Sequence, residues 1–203
     1  MNRRLFLPRR QRPRANERGA VLVEFALVAT LLVTLVVGVL EVGSAWSDYQ
    51  SLNQASRSGA RVASQVGLQG EADQQALLAV ESALGPLGNS VSRIVIYEAG
   101  ADGAMPAACQ TATAGYNGTA NCNVYDATSL ANLTTPGWWG TGTSCGTADG
   151  NWCAPTERSD DLSDATFVGV VVEVERNYLT GLFGGGTQSM SEITVMRVEP
   201  EIE

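Results

Sequence analysis

Residues 18–42, RGAVLVEFALVATLLVTLVVGVLEV, join an arginine to a long apolar run that carries one misplaced acid, Glu24. From 25 to 40, sixteen residues pass without a charge, and counting back to Ala20 gives 21 positions interrupted only by Glu24. As a helix rising about 1.5 Å per residue, such a run crosses a hydrocarbon core of roughly 30 Å. Val and Thr are numerous, but no Gly or Pro interrupts the run before Gly38, so length decides for helix over strand. A charged Glu within a membrane segment costs about 2.5 to 3.5 kcal/mol on insertion scales. Glu24 therefore needs a partner, an interfacial position or a function.

Charge divides the chain sharply around this run. All 13 basic residues are arginine, and seven of them (Arg3, Arg4, Arg9, Arg10, Arg12, Arg14 and Arg18) precede Gly19. The chain beyond residue 19 carries six arginines against twenty acids, a net charge of −14. An acidic body argues against a nucleic-acid partner, because phosphate binding needs a basic face on the folded part. The arginine cluster reads instead as the positive-inside signal that keeps the N-terminus cytoplasmic. Pro8 and Pro13 argue against a helix there, so residues 1–19 are expected to be a basic leader. The chain has no His. Ser-His-Asp and Cys-His catalysis are thereby excluded, and no paired-carboxylate motif stands out, so a non-enzymatic protein is expected.

The order Gly19-Ala20-Val21-Leu22-Val23-Glu24-Phe25 resembles the processing motif of type IV prepilins. The resemblance implies that a prepilin peptidase cuts between Gly19 and Ala20 on the cytoplasmic face. It also implies that Glu24, fifth in the product, neutralises the new α-amino group of a neighbouring subunit. Physically, an ammonium and a carboxylate stranded in lipid each relieve the other's desolvation. Two other readings fit the run. A cleaved secretory signal would use Gly43-Ser44-Ala45, although the run exceeds the usual 7 to 15 residues and has acids at both ends, Glu24 and Glu41. A plain anchor would leave Glu24 at the interface by chance.

Two further motifs extend the match: Arg57-Ser58-Gly59-Ala60-Arg61, and the closing Met196-Arg197-Val198-Glu199. Together with the Glu24-Phe25 start, they resemble the TadE-like family, minor pilins or pseudopilins of the tight-adherence (Flp) pilus system. That resemblance implies a bacterial inner-membrane protein with a cytoplasmic N-terminus and its C-terminal domain outside. Its implied partners are the prepilin peptidase, other pilin subunits with the assembly machinery, and membrane lipid. It leaves residues 99–164 uncovered.

Beyond the run the helix is expected to continue to about residue 65, making 20–67 one segment. Small residues recur every fourth position at Gly43, Ser47, Ser51, Ala55, Gly59, Ala63 and Gly67, a ridge that lets a neighbour approach closely. Either the protein's own domain or another subunit fits the Ala55, Gly59, Ala63 face. Gln50, Gln54, Arg57, Arg61 and Gln65 form a second, polar stripe, and Trp46 with Tyr49 suits an interfacial aromatic belt. A second helix is expected over 71–84, where Ala76, Leu77, Val80 and Leu84 share a face and Gly85-Pro86 stops it. Strands are expected over 91–98, over 167–174 with its alternating valines, and over 191–199. Gly184-Gly185-Gly186 suits the hairpin between the last two. The expected fold is α+β: a long transmembrane helix continuing into a small extracytoplasmic head (68–203) with a short second helix, an antiparallel sheet of three or more strands and a disulfide-tied loop region.

The insertion 99–164 holds all four cysteines. Outside the cytoplasm paired thiols oxidise, and of three pairings the local one is preferred, Cys109 with Cys122 and Cys145 with Cys153. Zinc is disfavoured because no short Cys-x-x-Cys spacing and no His is present. No metal and no cofactor is expected. Trp138, Trp139 and Trp152 form either a satellite core under the disulfides or a contact surface for a partner subunit, a host surface or a glycan. The second option defines the alternative function, a signal-anchored binding domain. Asp149-Gly150-Asn151 hints at calcium but fails the EF-hand pattern at Cys153. The acids Glu157, Asp160, Asp161 and Asp164 read as a solvated loop.

Overall fold

The computed structural model describes residues 17–181 and 186–200. Most of the expected leader, and Gly184 and Gly185 of the expected hairpin loop, lie outside these residues. The chain divides into two compact units, Met1–Gly43 and Ser44–Glu203, and one helix, α1 (Glu17–Val66), contributes to both.

In the first unit α1 shows its apolar side chains all round. Exposure of the large ones between residues 21 and 42 runs from 51% at Val28 to 71% at Val39, with Val37 half-buried as the exception. Water does not tolerate so continuous an apolar cylinder; lipid or the apolar faces of other helices do. The helix reaches a mean hydropathy of 2.6 in its most apolar 18-residue window, with none of that window buried, and fits a single-pass membrane anchor carrying a separate domain. Thr30 and Thr34 donate their hydroxyls to the carbonyls of Ala26 and Thr30, both at 2.8 Å, so these donors do not go unsatisfied in an apolar medium.

The second unit is an α+β head. Helix α2 (Ala72–Leu84) runs into a 3-10 segment (Gly85–Ser90), and then come β1 (Val91–Glu98), α3 (Ala107–Gln110), β2 (Cys122–Tyr125), α4 (Ala127–Ala131), α5 (Ala154–Glu157), β3 (Phe167–Asn177) and β4 (Thr187–Arg197). The four strands form one antiparallel sheet in the order β2-β1-β3-β4. Strand β2, embedded in the insertion, was not expected from sequence; β3 runs three residues past its expected end, and β4 starts four residues earlier and stops two residues sooner than expected.

Period-two alternation gives the sheet two covered faces. On one face Ile94 and Ile96 join Val168, Val170, Val172 and Val174 beneath Leu52, Ala55, Ala60 and Ala63 of α1 and Ala76, Leu77, Val80 and Leu84 of α2. On the other, Val95, Tyr97 and Val171 pack with Ala99, Cys109, Ala112 and Cys122 from the insertion. Gly169 has no side chain because the Tyr97 ring occupies its place: a Cβ there would stand 2.2 Å from Cζ. The insertion is thus structured: its first part covers the back of the sheet, and its later part, with Leu130, Leu133, Trp139 and Trp152, extends the main core.

Candidate functional site

The N-terminal motif sits at the start of α1. Among the described residues nothing lies within 4 Å of a Cβ placed on Gly19, and Ala20 and Glu24 lie one turn apart on the same helical face. Glu24 is exposed, with no side-chain partner among the described residues, and Phe25 is 70% exposed. A carboxylate in an apolar stretch thus finds no counter-charge among the described residues of its own chain.

Within the head, the small-residue face of α1 is already occupied. Ala55 and Ala63 are fully buried, and a Cβ on Gly59 would meet Val80 Cγ2 at 2.5 Å and Val170 Cγ1 at 3.4 Å. Close approach here is to α2 and β3 of the same domain, so Ala55, Gly59 and Ala63 are packing residues of the head and not a subunit-facing ridge. Ser56 shares a 3.0 Å hydrogen bond with Thr194 of β4, and Arg176 of β3 pairs with Asp48 at 2.8 Å and donates to the Ser44 hydroxyl. The polar stripe faces outward. A groove of about 690 Å³ lies between it and β4, lined by Trp46, Tyr49, Gln54, Arg57, Arg61 and Met196 among others. The Trp46 and Tyr49 rings stand 6.3 Å apart. Tyr49 donates to Glu192, a bond that raises its pKa above the ordinary value.

The insertion carries two disulfides, Cys109–Cys122 and Cys145–Cys153, closing separations of 13 and 8 residues. They anchor a buried polar cluster. Asp73 of α2 accepts hydrogen bonds from Asn123 and Tyr125, both at 2.7 Å, and pairs with Arg158. Asn123 also donates to the carbonyls of Asp149 and Trp152 and accepts from the Trp152 N–H. The Arg158 guanidinium lies 4.1 Å over the Trp152 ring, where the π-face takes the place of hydrogen bonds that its Nε and Nη1 lack among the described residues. Burial, with Asp73 nearby, raises the Tyr125 pKa well above its ordinary value.

Two of the three tryptophans in the insertion therefore do not form a contact surface. Trp152 is fully buried and Trp139 is 6% exposed, its ring 5.6 Å from that of Tyr125 and its N–H donated to the Asn132 carbonyl. Their rings are the apolar filling beneath the disulfides. Trp138, half-buried, alone lines a surface cleft of about 280 Å³, with Asp126, Thr128 and Thr147. Asp149 holds the loop together by accepting from the N–H groups of Gly140 and Gly146. Burial raises its pKa while those bonds oppose the shift. No group of three or more metal-ligating side chains is assembled among the described residues. Sequence reasoning missed the Asp73–Arg158 cluster, since no local pattern links residues 85 positions apart.

A single apolar helix bearing a disulfide-tied α+β head defines the class: a domain hung from an anchor. Residues 19–61 match the model of the TadE-like protein family, from Gly19 through the Arg57-Ser58-Gly59-Ala60-Arg61 motif. Neither the curated proteins nor the solved structures yield a match to the chain.

Proposed function

We propose that the protein is a minor pilin or pseudopilin of a tight-adherence pilus, matured by a prepilin peptidase that cuts after Gly19 and acting in pilus assembly or at the pilus tip. The observation that carries this reading is Glu24, exposed on an apolar helix and without a partner among the described residues, five residues after Gly19 where the family match begins. Cleavage creates an ammonium at Ala20, and Glu24 of an adjacent subunit supplies the carboxylate that makes both tolerable in lipid. The peptidase acts on the cytoplasmic side, where the seven arginines hold the leader, and the head lies outside, where its two disulfides persist. The work is assembly with other pilin subunits and their machinery in the inner membrane. No catalytic role is assigned.

The alternative, a surface-binding domain for which the helix is only a tether, keeps Trp138 and its cleft but loses Trp139 and Trp152 to the core. Replacing Glu24 by Ala separates the two. Under the pilin reading Glu24→Ala abolishes pilus assembly while protein level and N-terminal cleavage persist; assembly at wild-type level would overturn it.

A further inference from the structure

Two arginines of the head have no counterpart among the described residues. Of the six beyond Gly19, Arg93 pairs with Glu173, Arg158 with Asp73 and Arg176 with Asp48, while Arg197 donates to the Leu162 carbonyl. Arg57 and Arg61 make no ion pair and no side-chain hydrogen bond among the described residues, although acids far outnumber arginines in this part of the chain. Standing four apart on α1, they repel one another, and both rim the groove between α1 and β4. Among polar neighbours, Gln50, Asn53, Gln54 and Ser58, the groove holds an apolar patch: Trp46, 63% exposed, with Tyr49 and Met196.

The matching shape occurs on the same chain. Asp160-Asp161-Leu162-Ser163-Asp164 presents a leucine that is 76% exposed between aspartates. The turn is fixed: Asp161 accepts from the backbone N–H and hydroxyl of Ser163, both at 2.9 Å, and its carbonyl accepts from the Asp164 N–H. Those bonds to Ser163 lower the Asp161 pKa, so the carboxylate stays ionised. Leu162, exposed as it is, does not fill the groove of its own molecule.

We propose that the groove formed by α1 and β4 receives the 160–164 turn of a second copy of the chain, with Leu162 entering among Tyr49 and Met196 while Asp161 and Asp164 meet Arg57 and Arg61. The two patches differ, so the contact is head-to-tail and repeats from copy to copy in place of closing a dimer. The proposal deepens the pilus-subunit reading and rests on it for the neighbouring copy, yet the contact needs neither cleavage nor Glu24.

The test uses full-length protein in detergent micelles, an isotopically heavy and a light preparation mixed, with a benzophenone side chain in place of Gln54. Heavy–light crosslinks from position 54 to the peptide containing Leu162 are expected. Arg57→Glu with Arg61→Glu lowers their yield about fivefold or more, as loss of two ion pairs implies. Arg61→Glu alone lowers the yield too, and mixing that protein with Asp164→Arg protein, a reversal that spares the Asp161 bonds to Ser163, restores it. Leu162→Ser, at an exposed site that leaves the fold intact, lowers the yield as well. Crosslinks confined to one copy, crosslinks to other segments, or a yield indifferent to the arginine reversal would each overturn the proposal. The N-terminus read from the same samples keeps the two ideas apart: an Ala20 start without the groove crosslink sinks this contact and leaves the pilin reading standing.

Discussion

Asp73 and Arg158, 85 residues apart in the chain, form an ion pair from which water is excluded, their side chains 2% and 0% exposed. The pair ties α2 to the end of the disulfide-tied insertion, and Asn123 and Tyr125 of β2 close it from the sheet. Leaving one buried charge without its partner costs about 3 to 5 kcal/mol. Asp73→Leu and Arg158→Met should each destabilise the head by that order in denaturant unfolding followed by tryptophan fluorescence. The double variant should cost well below the sum of the two. Additive losses would mean the two side chains do not interact.

Close packing at Gly59 makes a second test. A larger side chain there must displace Val80, which is fully buried. Gly59→Leu should therefore cost about 1 to 3 kcal/mol, even though replacing a helical glycine gains about 0.8 to 1 kcal/mol in propensity. Ser58→Ala, one residue away and away from that contact, should change stability by no more than about 0.5 kcal/mol.

Each disulfide closes a short loop on the insertion. In the chain-entropy model, loops of these lengths gain about 3 kcal/mol apiece. Cys109→Ala with Cys122→Ala should lower stability by that amount and loosen the layer on the back of the sheet, visible as faster amide exchange at Val95 and Val171. The Cys145–Cys153 pair should instead loosen the Trp139 and Trp152 region.

Alkali provides a titration test. Burial, then the Asp73 carboxylate, raise the Tyr125 pKa well above its ordinary value of 10.0. Unfolding therefore releases this proton above pH 10, so stability is fully present below that pH and falls as pH rises from there toward the folded-state value. Tyr125→Phe should flatten this alkaline limb while lowering stability at neutral pH through the lost bond to Asp73. Absorbance at the phenolate band should show Tyr125 silent until the head unfolds.

How far the sequence carried the fold depended on whether each signal was local. The α1 run is uncharged without a break over sixteen residues and the valines of β3 alternate from 168 to 174, so both were legible. The four residues of β2 lie in a Gly- and Thr-rich stretch too short for any period to emerge, so their pairing with β1 was hidden. The small residues at 55, 59 and 63 announced a close approach but not to what, because own-domain and subunit packing demand the same side chains. The tryptophans were ambiguous for a similar reason: a large ring flanked by Gly and Thr suits a surface as well as a core, and only the Arg158 and Asn132 partners decide. Glu24 was read from position alone, and the structure adds that the described residues of its own chain offer it no partner.

The central claim is that Glu24 serves a cut made at Gly19, and the N-terminus of the membrane-extracted protein tests it most directly. Intact-mass and N-terminal analysis should give a chain beginning at Ala20. A chain beginning at Met1, or at Trp46 after a secretory-type cleavage, would contradict it.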